Sequence, residues 1–276
     1  AGADRTVALN AEQRAASEAV ALGAFAVHLL YGVTGSGKTE VYLDLVGRVL
    51  ARGERVLWLV PEIGLTPRLL ARLEARFPGQ VAVGHAGLNT GERQADVVRL
   101  LNDEPRIFVG VRNAVLAPLR RVGLVIVDEE HEGSYKSEEH PRIHARDLAI
   151  KRAQLEGCPV VLGSATPSLE SWLAATQGRY RLLKLTQRPG SAVLPEVEVV
   201  DLRQVYQATR RKELFSPQLL EALQGTLARG QQAMILLNRR GFENFWMCRA
   251  CGKPLECPHC ALSLTYHKGQ WRLRCH

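Results

Sequence analysis

Residues 32–39 read GVTGSGKT and fit the pattern G-x-x-x-x-G-K-[ST] without a mismatch. Such a stretch suits a polyphosphate for physical reasons. Glycines at 35 and 37 let backbone N–H groups turn inward, and a helix starting at the loop adds the positive end of its dipole. Lys38 is then placed for the β- and γ-phosphates and the Thr39 hydroxyl for Mg2+. Gly32, Val33, Thr34 and Ser36 complete the cradle. Eighty-nine residues after Thr39, GLVIVDEEH ends an apolar run in Asp128, Glu129, Glu130 and His131. A carboxylate at the C-terminal end of a parallel strand lies in the crevice where doubly wound folds take ligands. Asp128 can enter the Mg2+ shell, and Glu129 can orient or deprotonate an attacking water. Past the next apolar run, GSATPS (163–168) offers Ser164 and Thr166. These can contact the γ-phosphate region through His131 and report nucleotide state, although a plain turn also favours Gly, Ser and Pro.

Two further clusters carry chemistry. EGSYKSEEHPRIHARD follows His131 and is too polar for a buried element. Its Tyr135, Lys136 and Arg142 can stack on bases and pair with phosphates of a single strand; a solvated surface loop is the other reading. Near the end of the chain, CRACGKPLECPHC places Cys248, Cys251, Cys257 and Cys260 as two C-x-x-C knuckles, with Cys275 after them. Five of the six cysteines clustered this way suggest ligation of Zn2+ rather than scattered disulfides. The sixth, Cys158, precedes PVVLG and reads as a small buried side chain.

The elements that must hold these residues alternate along the first 190 positions. VHLLYG, RVLWLV, RIFVG, GLVIVD and PVVLG are strands apolar enough to be buried on both faces of a parallel sheet. Between them lie amphipathic stretches such as EVYLDLVGRVLARG, with Gly53 as its terminator. The fold class is α/β, a doubly wound parallel sheet. The pattern divides into a nucleotide-binding lobe over 1–190, a linker over 191–212, the start of a second lobe over 213–245 and a cysteine-rich insert over 246–276. The second lobe begins with a helix capped by Ser216 and a strand at AMILLN. The net charge of +8 falls entirely in residues 202–276, where 12 basic side chains meet 4 acidic ones. Such an excess fits a polyanionic partner or a solvated basic face. With no apolar run long enough to span a bilayer and no leader pattern, the expected address is the cytoplasm and no membrane is expected.

GVTGSGKT, DEEH and GSATPS, in this order, resemble the motor motifs of superfamily 2 helicases. VLWLVPEIGLTP, LVIVDEEHEGSYKSEEHPRIHARDLAI, GSATPSLES and LNRRGFENFWMCRACG…CPHC together resemble the bacterial replication-restart helicases, the PriA or primosomal protein N′ family. The resemblance runs from about Leu9 to His276, and the knuckles after LNRRGF discriminate most. It implies a RecA-like P-loop lobe and ATP hydrolysis with Mg2+. It also implies 3′→5′ movement on single-stranded and forked DNA, and a bacterial, nucleoid-associated location. The cysteines then form a zinc insert on the second motor lobe that touches forked DNA and helps load partners. Those partners are replication-restart and primosome proteins and single-stranded DNA-binding protein.

Residue by residue, the resemblance sets Lys38 and Thr39 on phosphate and Mg2+, and Asp128 with Glu129 as the Mg2+ and water-activating pair. Gln13 matches the glutamine that reads adenine, although Asn10 and Gln13 also stand at capping-box spacing. Arg112 matches a nucleic-acid-contacting arginine, with Val111 and Asn113 replacing the family's hydroxyl residues. A loop placed like residues 132–147 is aromatic-rich in related helicases and couples DNA binding to hydrolysis. Measured against the family, the chain is expected to be a fragment without the fork-binding and winged-helix domains, the rest of the second lobe or the last zinc cysteines. Other superfamily 2 motors (an RNA helicase, a restriction translocase) and a nucleotide- and DNA-binding fragment without appreciable turnover are the alternative readings.

Overall fold

The computed structural model describes residues 8–61, 67–84, 106–137, 140, 142–187, 196–209, 215–236, 253, 255–258, 260, 264–267 and 272–274. Contacts divide the chain into two units, Ala1–Val193 and Leu194–His276.

In the first unit, α1 (Ala11–Glu18) precedes β1 (Val27–Gly32), α2 (Lys38–Ala51) and β2 (Arg55–Leu59). Then come α3 (Pro67–Arg76), β3 (Val81–Gly84), β4 (Ile107–Gly110), a 3-10 turn at Arg112–Leu116 and β5 (Val122–Val127). A short 3-10 turn at Gly133–Tyr135 leads to α4 (Ala145–Glu156), β6 (Val160–Ser164), α5 (Leu169–Thr176) and β7 (Arg181–Leu185). Among the described residues, seven strands make one parallel sheet in the order β3-β4-β2-β5-β6-β1-β7.

The apolar runs become strands because each can bury both faces. Alternate residues feed two cores: Leu30, Trp58 and Ile126 pack with Val41, Leu45 and Val49 of α2 on one side. Leu29, Leu57, Val125 and Leu162 pack with Ala149 and Ala153 of α4 on the other. The five strands expected from the sequence all form. The edge strands β3 and β7 add two that the apolar-run criterion passes over, since β7 (RLLKL) is half exposed and carries charges. Helix α2 is closed by Arg52 as its C-cap, followed by Gly53 in the left-handed conformation (φ 72°) that a helix stop uses.

The second unit holds α6 (Leu202–Thr209), α7 (Pro217–Ala228) and an antiparallel pair, β8 (Thr265–His267) with β9 (Arg272–Arg274). The stretch read as linker, 191–212, thus contains a helix. Ser216 caps α7 by accepting the Leu219 N–H at 3.1 Å, with Pro217 in the first turn. AMILLN is a correction: residues 233–236 form no strand, and Met234 and Leu236 are more than nine-tenths exposed. A strand needs a neighbour to take its N–H and C=O groups, and none stands beside it among the described residues. No described helix is long and apolar enough to cross a membrane.

Candidate nucleotide site and its neighbours

The phosphate loop forms where β1 ends and α2 begins. Gly35 and Gly37 both have φ 82°, a conformation that disfavours any side chain. A Cβ on Gly37 would run into the Gln13 amide, and one on Gly32 would meet Ser36 Oγ at 2.5 Å. Gly37 is also the N-cap of α2 and supplies no side-chain acceptor, so the first N–H groups of that helix face the loop without a cap. The Ser36 hydroxyl is buried without a hydrogen-bond partner. These observations fit a loop built around an anion held by main-chain N–H groups.

Gln13 closes the capping box of α1: it accepts the Asn10 N–H at 3.0 Å, while its own N–H donates to the Asn10 side chain at 2.8 Å. Its amide also donates to the Ser36 carbonyl at 2.9 Å. Buried to 3 % exposure, it ties α1 to the phosphate loop. Capping therefore describes what this side chain does in the structure.

Three acidic residues follow β5. Asp128 accepts the Tyr42 hydroxyl at 3.0 Å and the Glu129 N–H at 3.1 Å. Burial, then the neighbouring Glu129 charge, push its carboxyl up to about 6, against the opposing Tyr42 hydrogen bond and Lys38 ammonium. Tyr42 is in turn fixed by burial, by an edge-on contact with Trp58 (ring centroids 5.2 Å apart) and by Gly163, where a Cβ would overlap its hydroxyl. Glu129 has φ 45°, unusual for a residue with a side chain. In that position its carboxylate lies 3.6 Å from Lys38 Nζ. The ammonium also donates to the Gly32 carbonyl at 3.2 Å.

His131 sits between the acids and the GSATPS turn. Its Nδ1 lies 2.8 Å from Ser164 Oγ and its Nε2 3.3 Å from Thr166 Oγ1, and the Thr166 N–H donates to Ser164 Oγ at 2.9 Å. Lys38, Asp128, Glu129, His131, Ser164 and Thr166 are therefore brought together at the C-terminal ends of β1, β5 and β6.

The loop after His131 corrects one expectation. Tyr135 is fully buried, packs in the core with Ala145 and Ala149, and donates its hydroxyl to the Asp128 carbonyl at 2.7 Å. No base can stack on it, because its ring faces are already covered by core atoms. Its polar neighbours in the sequence hid one inward-turning side chain. Lys136 and Arg142 are exposed, and Arg112 donates to the Lys136 carbonyl at 3.0 Å. Lys136 pairs with His144 across the loop. Arg146, another basic residue of this stretch, is 8 % exposed and binds Glu130 at 3.1 Å.

Sequence reasoning gave no role to Tyr42, Glu130, Ser168 and Ser171. Tyr42 had a signal, since it stands one helical turn after Lys38 and so shares its face. Cys248, Cys251 and Cys275 lie outside the described residues. Cys257 is half-buried and Cys260 exposed; flanking their knuckle, the Leu264 N–H donates to the Leu255 carbonyl at 2.8 Å. Among the described residues no three His, Cys, Asp or Glu side chains are placed so that together they could hold a metal ion.

Residues 10–173 match the DEAD/DEAH box helicase family model, and residues 257–276 match the model of the PriA DNA helicase Cys-rich region (CRR) domain. The replication restart protein PriA of Bacillus subtilis (strain 168) is 50 % identical over 272 residues, covering 97 % of this chain and 34 % of that protein. The PriA of Synechocystis sp. is 46 % identical over 275 residues, covering 96 % of this chain and 33 % of that protein. In Haemophilus influenzae the figures are 41 %, 99 % and 37 %. The chain thus spans about a third of the length of the curated relatives it matches. Among solved structures, RecG bound to a three-way DNA junction superposes with a TM-score of 0.56 at 18 % identity, covering 81 % of this chain and 28 % of RecG. That likeness concerns the fold.

Proposed function

Since the chain belongs to the DEAD/DEAH box helicase family, we propose that it is the ATP-hydrolysing part of a DNA motor that restarts replication at stalled or abandoned forks. The observation that carries the reading is the meeting of Lys38 with the Asp128–Glu129 pair beside a glycine loop shaped for an anion. The names of the relatives, at 41–50 % identity over nearly the whole chain, supply the biological setting.

In this reading the main-chain N–H groups around Gly35 and Gly37 and the Lys38 ammonium bind the triphosphate, and Gln13 holds the loop against α1 and faces the adenine. Thr39 and Asp128 would hold Mg2+, which when bound supplies positive charge to the phosphates. Tyr42 keeps Asp128 aimed. Glu129 is paired with Lys38 while no phosphate competes for the ammonium; once the lysine turns to phosphate, Glu129 is released to orient and deprotonate water. His131, Ser164 and Thr166 relay the state of that carboxylate to β6. Arg112, Lys136 and Arg142 contact the phosphodiester chain of single-stranded DNA, along which the motor moves 3′→5′. Cys248, Cys251, Cys257, Cys260 and Cys275 are assigned to Zn2+. Single-stranded DNA-binding protein and primosome proteins are the expected partners.

The test is ATP turnover by the full-length protein with and without single-stranded DNA or RNA. DNA-stimulated hydrolysis should fall at least ~100-fold in Lys38→Ala, because the lost ammonium serves transition-state charge. Turnover within about tenfold of wild type would refute the assignment.

A further inference from the structure

Glu130 has no role in the scheme above, yet it is among the most completely satisfied side chains described. It is wholly buried, and its carboxylate accepts four hydrogen bonds. They come from Arg146 Nη1 at 3.1 Å, the Ser168 N–H at 2.7 Å, Ser168 Oγ at 3.0 Å and Ser171 Oγ at 2.8 Å. Arg146 also donates to Ser168 Oγ at 2.7 Å and to Asp147 at 3.0 Å. One carboxylate therefore clamps the first turn of α4, which carries Arg146, to the first turn of α5, which Ser168 caps.

Position gives the clamp its meaning. Along the chain Glu130 stands between Glu129 and His131, and its own N–H donates to the Gly163 carbonyl of β6 at 3.0 Å. On the other side, α4 starts immediately after the loop that presents Lys136 and Arg142. That loop is closed by the Lys136–His144 bridge and by the Ser137 N–H donating to the Ile143 carbonyl at 2.8 Å. Arg112 is fastened to the same loop. Arg146 is four residues from Arg142, in the first turn of α4.

Stability alone does not call for such a pair. A buried ion pair roughly offsets its own desolvation, and apolar side chains of similar volume would hold two helices as well. What it does supply is a fixed, directional geometry.

We infer that Glu130 and Arg146 are positioning residues that couple occupation of the basic loop by a phosphodiester chain to the setting of Glu129 and His131. This rests on the motor reading above. Loop movement reaches Arg146 through α4, shifts the Glu130 carboxylate, and through one peptide unit on each side re-aims the water-activating acid and the histidine relay.

The experiment uses the full-length protein, with oligo(dT) as probe, and compares wild type, Arg146→Gln, Arg146→Lys and the double variant Glu130→Gln with Arg146→Gln. The double variant leaves no unpaired buried charge and so guards against simple misfolding. Basal turnover, the KM for ATP and oligo(dT) affinity should stay within about twofold, while DNA-stimulated kcat falls about tenfold in Arg146→Gln and in the double variant. Arg146→Lys, a single ammonium in place of a planar fork, should recover part of the stimulation. Full stimulation in the double variant would overturn the inference. So would basal and stimulated rates falling together in step with a lowered Tm, the mark of a purely structural pair. A wild type that hydrolyses ATP without stimulation by DNA would instead overturn the motor reading, and this inference with it.

Discussion

His28 offers a sharp quantitative test of the fold. It lies in β1, opposite Val161 of β6 and Arg181 of β7, with no exposed surface and with neither ring nitrogen hydrogen-bonded. Burial, helped by the Arg181 charge, pushes the imidazole down to about 4 from its ordinary 6.5. The unfolded chain takes up its proton near the ordinary value, while the folded chain resists until much lower pH. Stability is thus complete above about pH 6.5 and falls as pH drops toward about 4. At ~1.36 kcal/mol per unit the full shift is worth about 3 kcal/mol, of which about 2 kcal/mol is gone near pH 5. The perturbation is His28→Leu, similar in volume and unable to titrate. Near neutral pH it should be at least as stable as wild type, since two unsatisfied nitrogens are removed. The assay is urea unfolding at about pH 7.5, 6 and 5, followed by tryptophan fluorescence. Other groups titrate in both proteins, so the difference between them isolates His28. Parallel pH dependence in the two proteins would refute the reasoning.

Other consequences follow from particular contacts. Gly163→Ala places a methyl on the Tyr42 hydroxyl and should cost about 1–3 kcal/mol in denaturant melts, with weakened ATP turnover as Tyr42 leaves Asp128. Tyr135→Phe removes one hydrogen bond and should cost about 1 kcal/mol, whereas Tyr135→Ala should cost about 3–5 kcal/mol through the cavity. A Tyr135→Ala protein of normal stability that has lost only DNA stimulation would restore the stacking role. Elemental analysis of the full-length protein should find zinc, and Cys257→Ser with Cys260→Ser should lower it; no zinc in wild type would remove the metal assignment.

The parts legible in the sequence are those where chemistry or burial constrains adjacent positions. GVTGSGKT announces itself because the backbone needs glycine at fixed places, and the central strands do so because both faces are buried. What escaped depends on partners far apart in the chain. β3 and β7 are strands only because a neighbour accepts them at the sheet edge. AMILLN has the composition of a strand but finds no such neighbour among the described residues. Tyr135 sits among residues that belong on a surface, and only the packing of α4 reveals that its ring points inward. Glu130 and Arg146 are sixteen residues apart, and nothing in their local sequence pairs them.

The three consecutive acids show how a local departure from regular geometry creates separate roles. Side chains alternate along a strand, so continuing β5 would set Asp128 and Glu130 on one face with Glu129 opposite. The structure does otherwise. Asp128 meets Tyr42, a member of the core on the α2 side, whereas Glu130 meets Arg146 and Ser171 from α4 and α5 on the other side. The left-handed Glu129 between them makes that separation possible, at a cost of about 1–3 kcal/mol for its backbone. The same twist brings its own carboxylate to Lys38. Four hydrogen bonds to Glu130 and two to Asp128 hold the strained residue from both sides. Strain at Glu129 is therefore fixed by its neighbours, which reach separately to α2, the helix that follows the phosphate loop, and to α4, the helix that follows the basic loop.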